Sequence, residues 1–314
     1  MYGPYSSWAE QRILEIKGWK LGGFPGENPT WLIGSMFYHG DKILHDTSGA
    51  FDRAKAREKL EEAISIAEEH GLVFGLDVVF PSLESVEPIM SFVSEYNIPL
   101  FLDSPDPAAR MKSYRVTREL GVNDRSIANG LFTDSPEEEA EEIRDNGLAA
   151  AVLMAFDPRD AAGSIDPESR IKLLEERLLP VARRAGLSNL IVDSIVIDPA
   201  SISLSAETVY MVKEKYGFPS GCAPANALGP VSKKAVGLEG MYSVHGGVAV
   251  YLRVMGSDFI MYGPVQRIKY IASAVAMADS LLGYSLRHHG ARIGRSHPLR
   301  KYLRRIQKLF VSTG

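Results

Sequence analysis

The chain has 314 residues, of which 45% are hydrophobic and 24% charged, with a formal net charge of −4. These are the values of an ordinary globular protein, and no run approaches the roughly 18 apolar residues that a membrane-spanning helix needs. Cys222 is the single cysteine, which excludes an intrachain disulfide and a cysteine-rich zinc site.

The N-terminus lacks the basic region and apolar stretch of a secretory signal, so a cytoplasmic location is expected. Residues 12–22 (RILEIKGWKLG) alternate around Gly18 as a hairpin does, in a position to plug one end of a barrel. Short apolar runs then recur at 31–36, 72–79, 98–103, 126–132, 148–156, 189–197, 219–227 and 258–262, each followed by a charged stretch of helical period. Strands buried on both faces read this way, and about eight such units form a closed parallel barrel.

The intervening segments carry helix signals. In 52–69, Leu60, Ile64 and Ala67 share one face while Lys55, Glu58, Glu61 and Glu62 lie elsewhere. Asp134-Ser135-Pro136-Glu137 and Asp166-Pro167-Glu168 place a cap residue before a proline at the first helical position, and Asp198 before Pro199 caps the next helix. The expected fold class is α/β: a single (β/α)8 TIM barrel domain over residues 1–314, with hairpin and lead-in at 12–30, barrel at 31–284 and a basic C-terminal extension at 285–314.

That extension has no Asp or Glu after Asp279, while eight Lys and Arg residues occur from Arg287 to Lys308. Within 298–310, Leu299, Tyr302, Leu303, Ile306 and Phe310 share one helical face. Packing on the barrel is the favoured reading, over docking an acidic partner or touching a membrane. Nucleic acid is not an expected partner, because no base-stacking or groove-reading module accompanies the basic segment.

In a parallel barrel the functional side chains sit at the C-terminal ends of the strands. There the sequence offers Asp103, Asn129, Asp193 and Asn226, with Asp77 and His39 as second-tier candidates. Tyr38, Phe132 and Phe156 are candidates for stacking on a ring, whereas His39 and His45 more commonly read as solvent histidines of a loop, and His245 is similarly open. Each main candidate has a structural alternative: Asp103 as a helix cap, Asp193 paired with a barrel arginine, Asn129 as a turn residue beside Gly130. No strand end supplies a Schiff-base lysine, a His-x-His metal pair or a glycine-rich phosphate loop, so no protein-bound metal is expected. Carboxylates and carboxamides together suit a flat heterocycle rich in N–H and C=O groups, such as the 2-amino-pyrimidinone edge of a pterin.

The ordered set "KLGGFPGENPTWLIGSMFYHGDKI", "FLDS", "IANG", "LIVDS", "GFPSGCAPANALG" and "FIMYGP", spanning roughly residues 12–284, resembles the pterin-binding methyltransferases related to the H subunit of tetrahydromethanopterin S-methyltransferase. It is also similar to the soluble methylcorrinoid-protein:tetrahydrofolate methyltransferases. Dihydropteroate synthases resemble the same barrel, but Asn226 stands where their lysine would be expected, and their Ser-x-Arg or Ser-x-Lys signature is missing. The resemblance implies that Asp103, Asn129 and Asp193 hold the pyrimidine edge and that Asn226 lies near N5 as the catalytic residue. The implied co-substrate is tetrahydromethanopterin or tetrahydrofolate, and the implied reaction moves a methyl group between N5 and the cobalt of a corrinoid (cobalamin) carried by a partner protein. A homodimer is considered as well, with membrane contact only indirectly through a larger complex. The alternatives are a non-catalytic pterin-binding subunit and a pteroate-forming condensation.

Overall fold

Lys17 and Gly18 both adopt the left-handed region, with φ of 48° and 92°. Two such residues in succession form the tight turn whose twist matches a pair of strands, and glycine takes that conformation without steric cost. Around them β1 (Ile13–Ile16) and β2 (Trp19–Gly22) pair antiparallel, as the sequence predicts.

The computed structural model describes residues 5–312, with side chains through residue 308. Eight further strands make up the barrel: β3 (Trp31–Met36), β4 (Val73–Val79), β5 (Leu100–Asp103), β6 (Ser126–Leu131), β7 (Ala150–Met154), β8 (Leu190–Asp193), β9 (Ser220–Cys222) and β10 (Phe259–Pro264). All pair parallel with their neighbours, and β10 returns to β3 to close the barrel. The helices are α1 (Arg53–His70), α2 (Val86–Val93), α3 (Pro107–Glu119), α4 (Glu137–Asp145), α5 (Pro167–Leu173), α6 (Leu179–Arg184), α7 (Ser201–Tyr216), α8 (Ala225–Leu228), α9 (Lys233–Val254), α10 (Ile268–His288) and α11 (Pro298–Ser312). Among the described residues, no helix is long and apolar enough to cross a membrane.

Several local signals act as their chemistry requires. Asp52 caps α1 by accepting from the Lys55 amide at 3.1 Å, and Asp166 caps α5 with Pro167 at its first position. Asp198 accepts from the Ser201 amide at 2.7 Å at the head of α7. The Asp134–Glu137 cap is a correction. Pro136 is itself the residue before α4, and Ser135 turns back to accept from the Phe132 amide at 3.0 Å, leaving the helix without a side-chain cap. Between α5 and α6 the turns widen over Leu174–Leu178, just before Pro180, whose missing N–H and ring cannot continue a normal helical turn.

Period-two alternation decides what faces the barrel axis. Trp31, Ile33, Phe101, Ile127, Val152, Ile191 and Phe259 pack together with Ile16 and Leu21 of the hairpin as one apolar cluster. The Trp31 indole donates to the Lys20 carbonyl at 3.0 Å, so the hairpin does close the N-terminal end. A larger apolar layer lies between strands and helices. Below the hairpin lead-in, Lys213 meets Asp258 at 2.7 Å and Arg253 meets Asp279 at 2.6 Å, all four buried; Thr30 adds two hydrogen bonds to Asp279.

Helix α11 packs on α10 and on the end of α1: Leu299 is buried, Tyr302 stacks on His70 with ring centroids 5.0 Å apart, and Arg305 pairs with Glu69. The side chain of Phe310, assigned to the same face from the sequence, lies outside the described side chains.

Candidate functional site

The alternation that fills the lower barrel with apolar groups places Ser35, Asp103, Asn129 and Asp193 two residues beyond inward-facing Ile33, Phe101, Ile127 and Ile191, and Asp77 two beyond Gly75, over which Ile33 and Phe101 pack. They converge on a cavity of about 490 Å³ at the C-terminal mouth, which Tyr38, Phe132, Asn226 and Arg267 also line. Asn226 arrives there by a different route from the one expected. Strand β9 ends at Cys222, and Pro224 starts the short helix α8, so Asn226 projects from a helical turn and is exposed.

The hydrogen bonds of the cluster leave defined vacancies in its bonding capacity. Ser35 Oγ donates to Asp77 Oδ2 at 2.7 Å, and the Asn129 amide nitrogen donates to Asp77 Oδ1 at 3.3 Å. The Ile195 amide donates to Asp193 Oδ1 at 2.7 Å from a backbone with φ of 49°, a conformation that costs a β-branched residue on the order of 1–3 kcal/mol. Asn129 Oδ1 and Asp193 Oδ2 are buried without a partner among the described residues. An unpartnered buried acceptor is expensive to keep, so this wall is built to meet N–H donors.

The structural alternatives do not account for these residues. Asp106, not Asp103, caps α3, by accepting from the Ala108 amide at 2.9 Å. Arg170 donates from Nε to the Ser164 carbonyl and from Nη1 to the Ser194 carbonyl and Ser205, leaves Nη2 without a partner among the described residues, and forms no ion pair with Asp193. Asn129 lies within β6 and not in a turn. The loop after Asp103 is fixed from outside, since Arg110 forks onto Glu139 at 2.6 and 2.8 Å and donates to the Ser104 carbonyl at 2.7 Å.

Gathering three carboxylates in a desolvated mouth disfavours their charged forms. Burial pushes Asp77 up to about 6, against the opposing hydrogen bonds from Ser35 and Asn129. Burial pushes Asp193 up to about 7, opposed by the Ile195 amide and by Arg170. Asp103 is also raised well above the usual carboxylate range, first by burial and then by the neighbouring Asp77.

Other expectations fall away. His39 is exposed and does not line the cavity, and neither does Phe156. His245 is buried in α9, with Nε2 3.4 Å from the Val231 carbonyl oxygen. Ser35, Ile195 and Arg267 are residues of the site that the sequence reading passes over. Arg267 carried one available signal, as the first charged residue after the last strand. A further cavity of about 570 Å³ lies outside the barrel between α4 and α6, where carboxylates and arginines of both signs are mixed. Among the described residues, no group of three or more His, Cys, Asp or Glu is placed to hold a metal ion.

A sequence profile of the tetrahydromethanopterin S-methyltransferase MtrH subunit matches residues 9–293. The chain belongs to this methyltransferase family. It is 30% identical over 300 residues to the H subunit of the mtx methyltransferase of Methanosarcina barkeri, covering 92% of this chain and 97% of that one. It is 28% identical over 305 residues to the H subunit of tetrahydromethanopterin S-methyltransferase from Methanothermobacter thermautotrophicus, covering 94% and 98%. Among solved structures, the dihydropteroate synthase of Yersinia pestis bound to a pterine-sulfa conjugate superposes with a TM-score of 0.60 at 13% identity, covering 86% of this chain and 99% of that one. At that identity the likeness is one of fold: the family member shares the barrel of the synthases.

Proposed function

We propose that this family member moves a methyl group between N5 of a tetrahydropterin and the cobalt of a corrinoid held by a partner protein. The observation that carries the reading is the wall of buried acceptors, Asn129 Oδ1 and Asp193 Oδ2 beside Asp77 and Asp103, which matches the row of N–H donors on a pterin's pyrimidine edge. The Methanothermobacter relative is named for such a co-substrate, and the Yersinia synthase was solved with a pterine conjugate, which supports the same class of ligand.

The corrinoid supplies the metal centre that gives or takes the methyl group. The protein's own work is alignment, exclusion of water and hydrogen bonding to the ring. Asp103, Asn129 and Asp193 fix the pyrimidine edge, and Asp77 holds Asn129 by accepting from its amide nitrogen. Asn226, on α8 directly after β9 and so next to the strand that carries Asp193, is the group assigned to N5. Its carboxamide can accept from a protonated N5 or donate to its lone pair, so it serves both stages of the transfer.

Two experiments test this. Incubation with free methylcobalamin and either tetrahydrofolate or tetrahydromethanopterin should give methyl transfer to N5; binding without turnover would favour a non-catalytic subunit. In single-turnover kinetics at saturating pterin, Asn226→Ala should lower the transfer rate by about tenfold or more, with a smaller effect on affinity. A saturated rate equal to that of the unaltered protein would make Asn226 a binding residue only.

A further inference from the structure

The cavity is electrostatically divided. Its carboxylates stand on β4, β5 and β8, whereas the single cation in its lining, Arg267, comes after β10 on the other side. Arg267 is half-buried, and among the described residues its guanidinium has no hydrogen bond or ion pair. The backbone beneath it is turned by Gly263 at φ +84°, where an added Cβ would lie 3.0 Å from Ala225 and 3.8 Å from a guanidinium nitrogen of Arg267. Nothing bulkier therefore separates the arginine from the mouth. Tyr38, at the end of the neighbouring β3, feels its charge across the rim.

A guanidinium stays charged at any physiological pH, and leaving it half-desolvated without a counter-ion is unfavourable. Three carboxylates line the same cavity, yet none reaches it. The missing counter-ion must be brought by a ligand.

Resting on the pterin reading above, we propose that Arg267 is the anion subsite for the tail of the co-substrate. In a pterin the pyrimidine edge and the tail-bearing carbon lie at opposite ends of the bicycle. With the edge held on the β4–β8 wall, the tail leaves toward β10 and Arg267, which takes an acidic group on it. The ligand class is thus narrowed to tetrahydropterins with a carboxylate- or phosphate-bearing tail.

The test compares three ligands by equilibrium binding: 6-methyltetrahydropterin without a tail, 5-methyltetrahydrofolate with a carboxylate tail, and tetrahydromethanopterin, whose tail carries a phosphate as well. Arg267→Gln should lower the affinity ratio of tailed over tail-less ligand by about tenfold, the size of one partly exposed charge-assisted bond, whereas Arg267→Lys should retain most of it. The affinity of the tailed ligand should also fall with added salt more steeply in the unaltered protein than in Arg267→Gln. A fall confined to tetrahydromethanopterin would assign the subsite to phosphate, and a fall for both tailed ligands to a carboxylate. An unchanged ratio, or an equal loss for all three ligands, would overturn the subsite while leaving the pterin reading intact. Failure of the unaltered protein to bind any of the three would overturn both.

Discussion

Asp193→Asn should weaken tetrahydropterin binding by about 1.5–3 kcal/mol and, at pH 8, raise the thermal stability of the ligand-free protein. Both effects come from one feature. The carboxylate is buried with Oδ2 unpartnered, and burial lifts its proton affinity to about 7. An unfolded aspartate titrates near 3.9, so folding takes up a proton between about pH 4 and pH 7. The stability linked to this group is therefore fully present below about pH 4 and is lost as pH rises through about 7. Asp77, raised to about 6, acts in the same direction. At pH 8 the ligand-free fold carries the cost of a desolvated charge, and asparagine relieves about 1–4 kcal/mol of it. Binding has the opposite sign: the ionised carboxylate is the better acceptor for pterin N–H groups, so affinity should rise as pH rises through 6–7. Calorimetric titration with 5-methyltetrahydrofolate from pH 5.5 to 8, paired with melting curves without ligand, reads both. A variant that binds as tightly as the original and melts at the same temperature at pH 8 would remove Asp193 from the site.

The largest loss of stability should come from Asp279→Ala, at the opposite end of the barrel. Asp279 accepts from Arg253 Nε at 2.6 Å and from the Thr30 amide and hydroxyl at 2.8 and 3.0 Å, all of them buried. Removing it leaves Arg253 with the Ser257 and Asn28 carbonyls at 2.8 and 3.0 Å and, for a counter-ion, only the longer contact to Asp258 at 3.6 Å, which Lys213 already occupies. Breaking such a pair costs about 3–5 kcal/mol, chiefly because the remaining charge stays buried. Denaturant unfolding should show the whole effect as a lower midpoint. The cavity at the C-terminal mouth is lined by none of these residues, so whatever affinity the folded fraction has should match that of the original protein. A loss of unfolding free energy under about 1 kcal/mol would mean that the network contributes little.

The strands were legible because their signal is local. A buried parallel strand needs a run of apolar residues whatever lies beside it, and 31–36, 100–103 and 190–193 carry that run within their own few residues. The Lys17-Gly18 turn and the Asp52 and Asp166 caps are local in the same sense. Alternation likewise ties Asp103 to Phe101 and Asn129 to Ile127, so which carboxylates and carboxamides face the axis depends only on chain order once a barrel is assumed.

Closure of the barrel decided the rest. Asp77 and Asn129 are 52 residues apart, and only the pairing of β4, β5 and β6 sets one to hold the other. The raised proton affinities come first from burial in the closed mouth, with neighbouring carboxylates adding to them at Asp103 and Asp193, a property of neighbours in space that no spacing encodes. Pro224 diverted the chain into α8 and put Asn226 on a helical turn, because a three-residue strand suffices for β9 between its two neighbours. Nothing in the chain order marks Arg253, Lys213, Asp258 and Asp279 as partners. Their burial as counter-ions, like the isolation of Arg267 from any, depends on which helices the closed sheet brings side by side, and electrostatic energy is set by that distance rather than by separation in sequence.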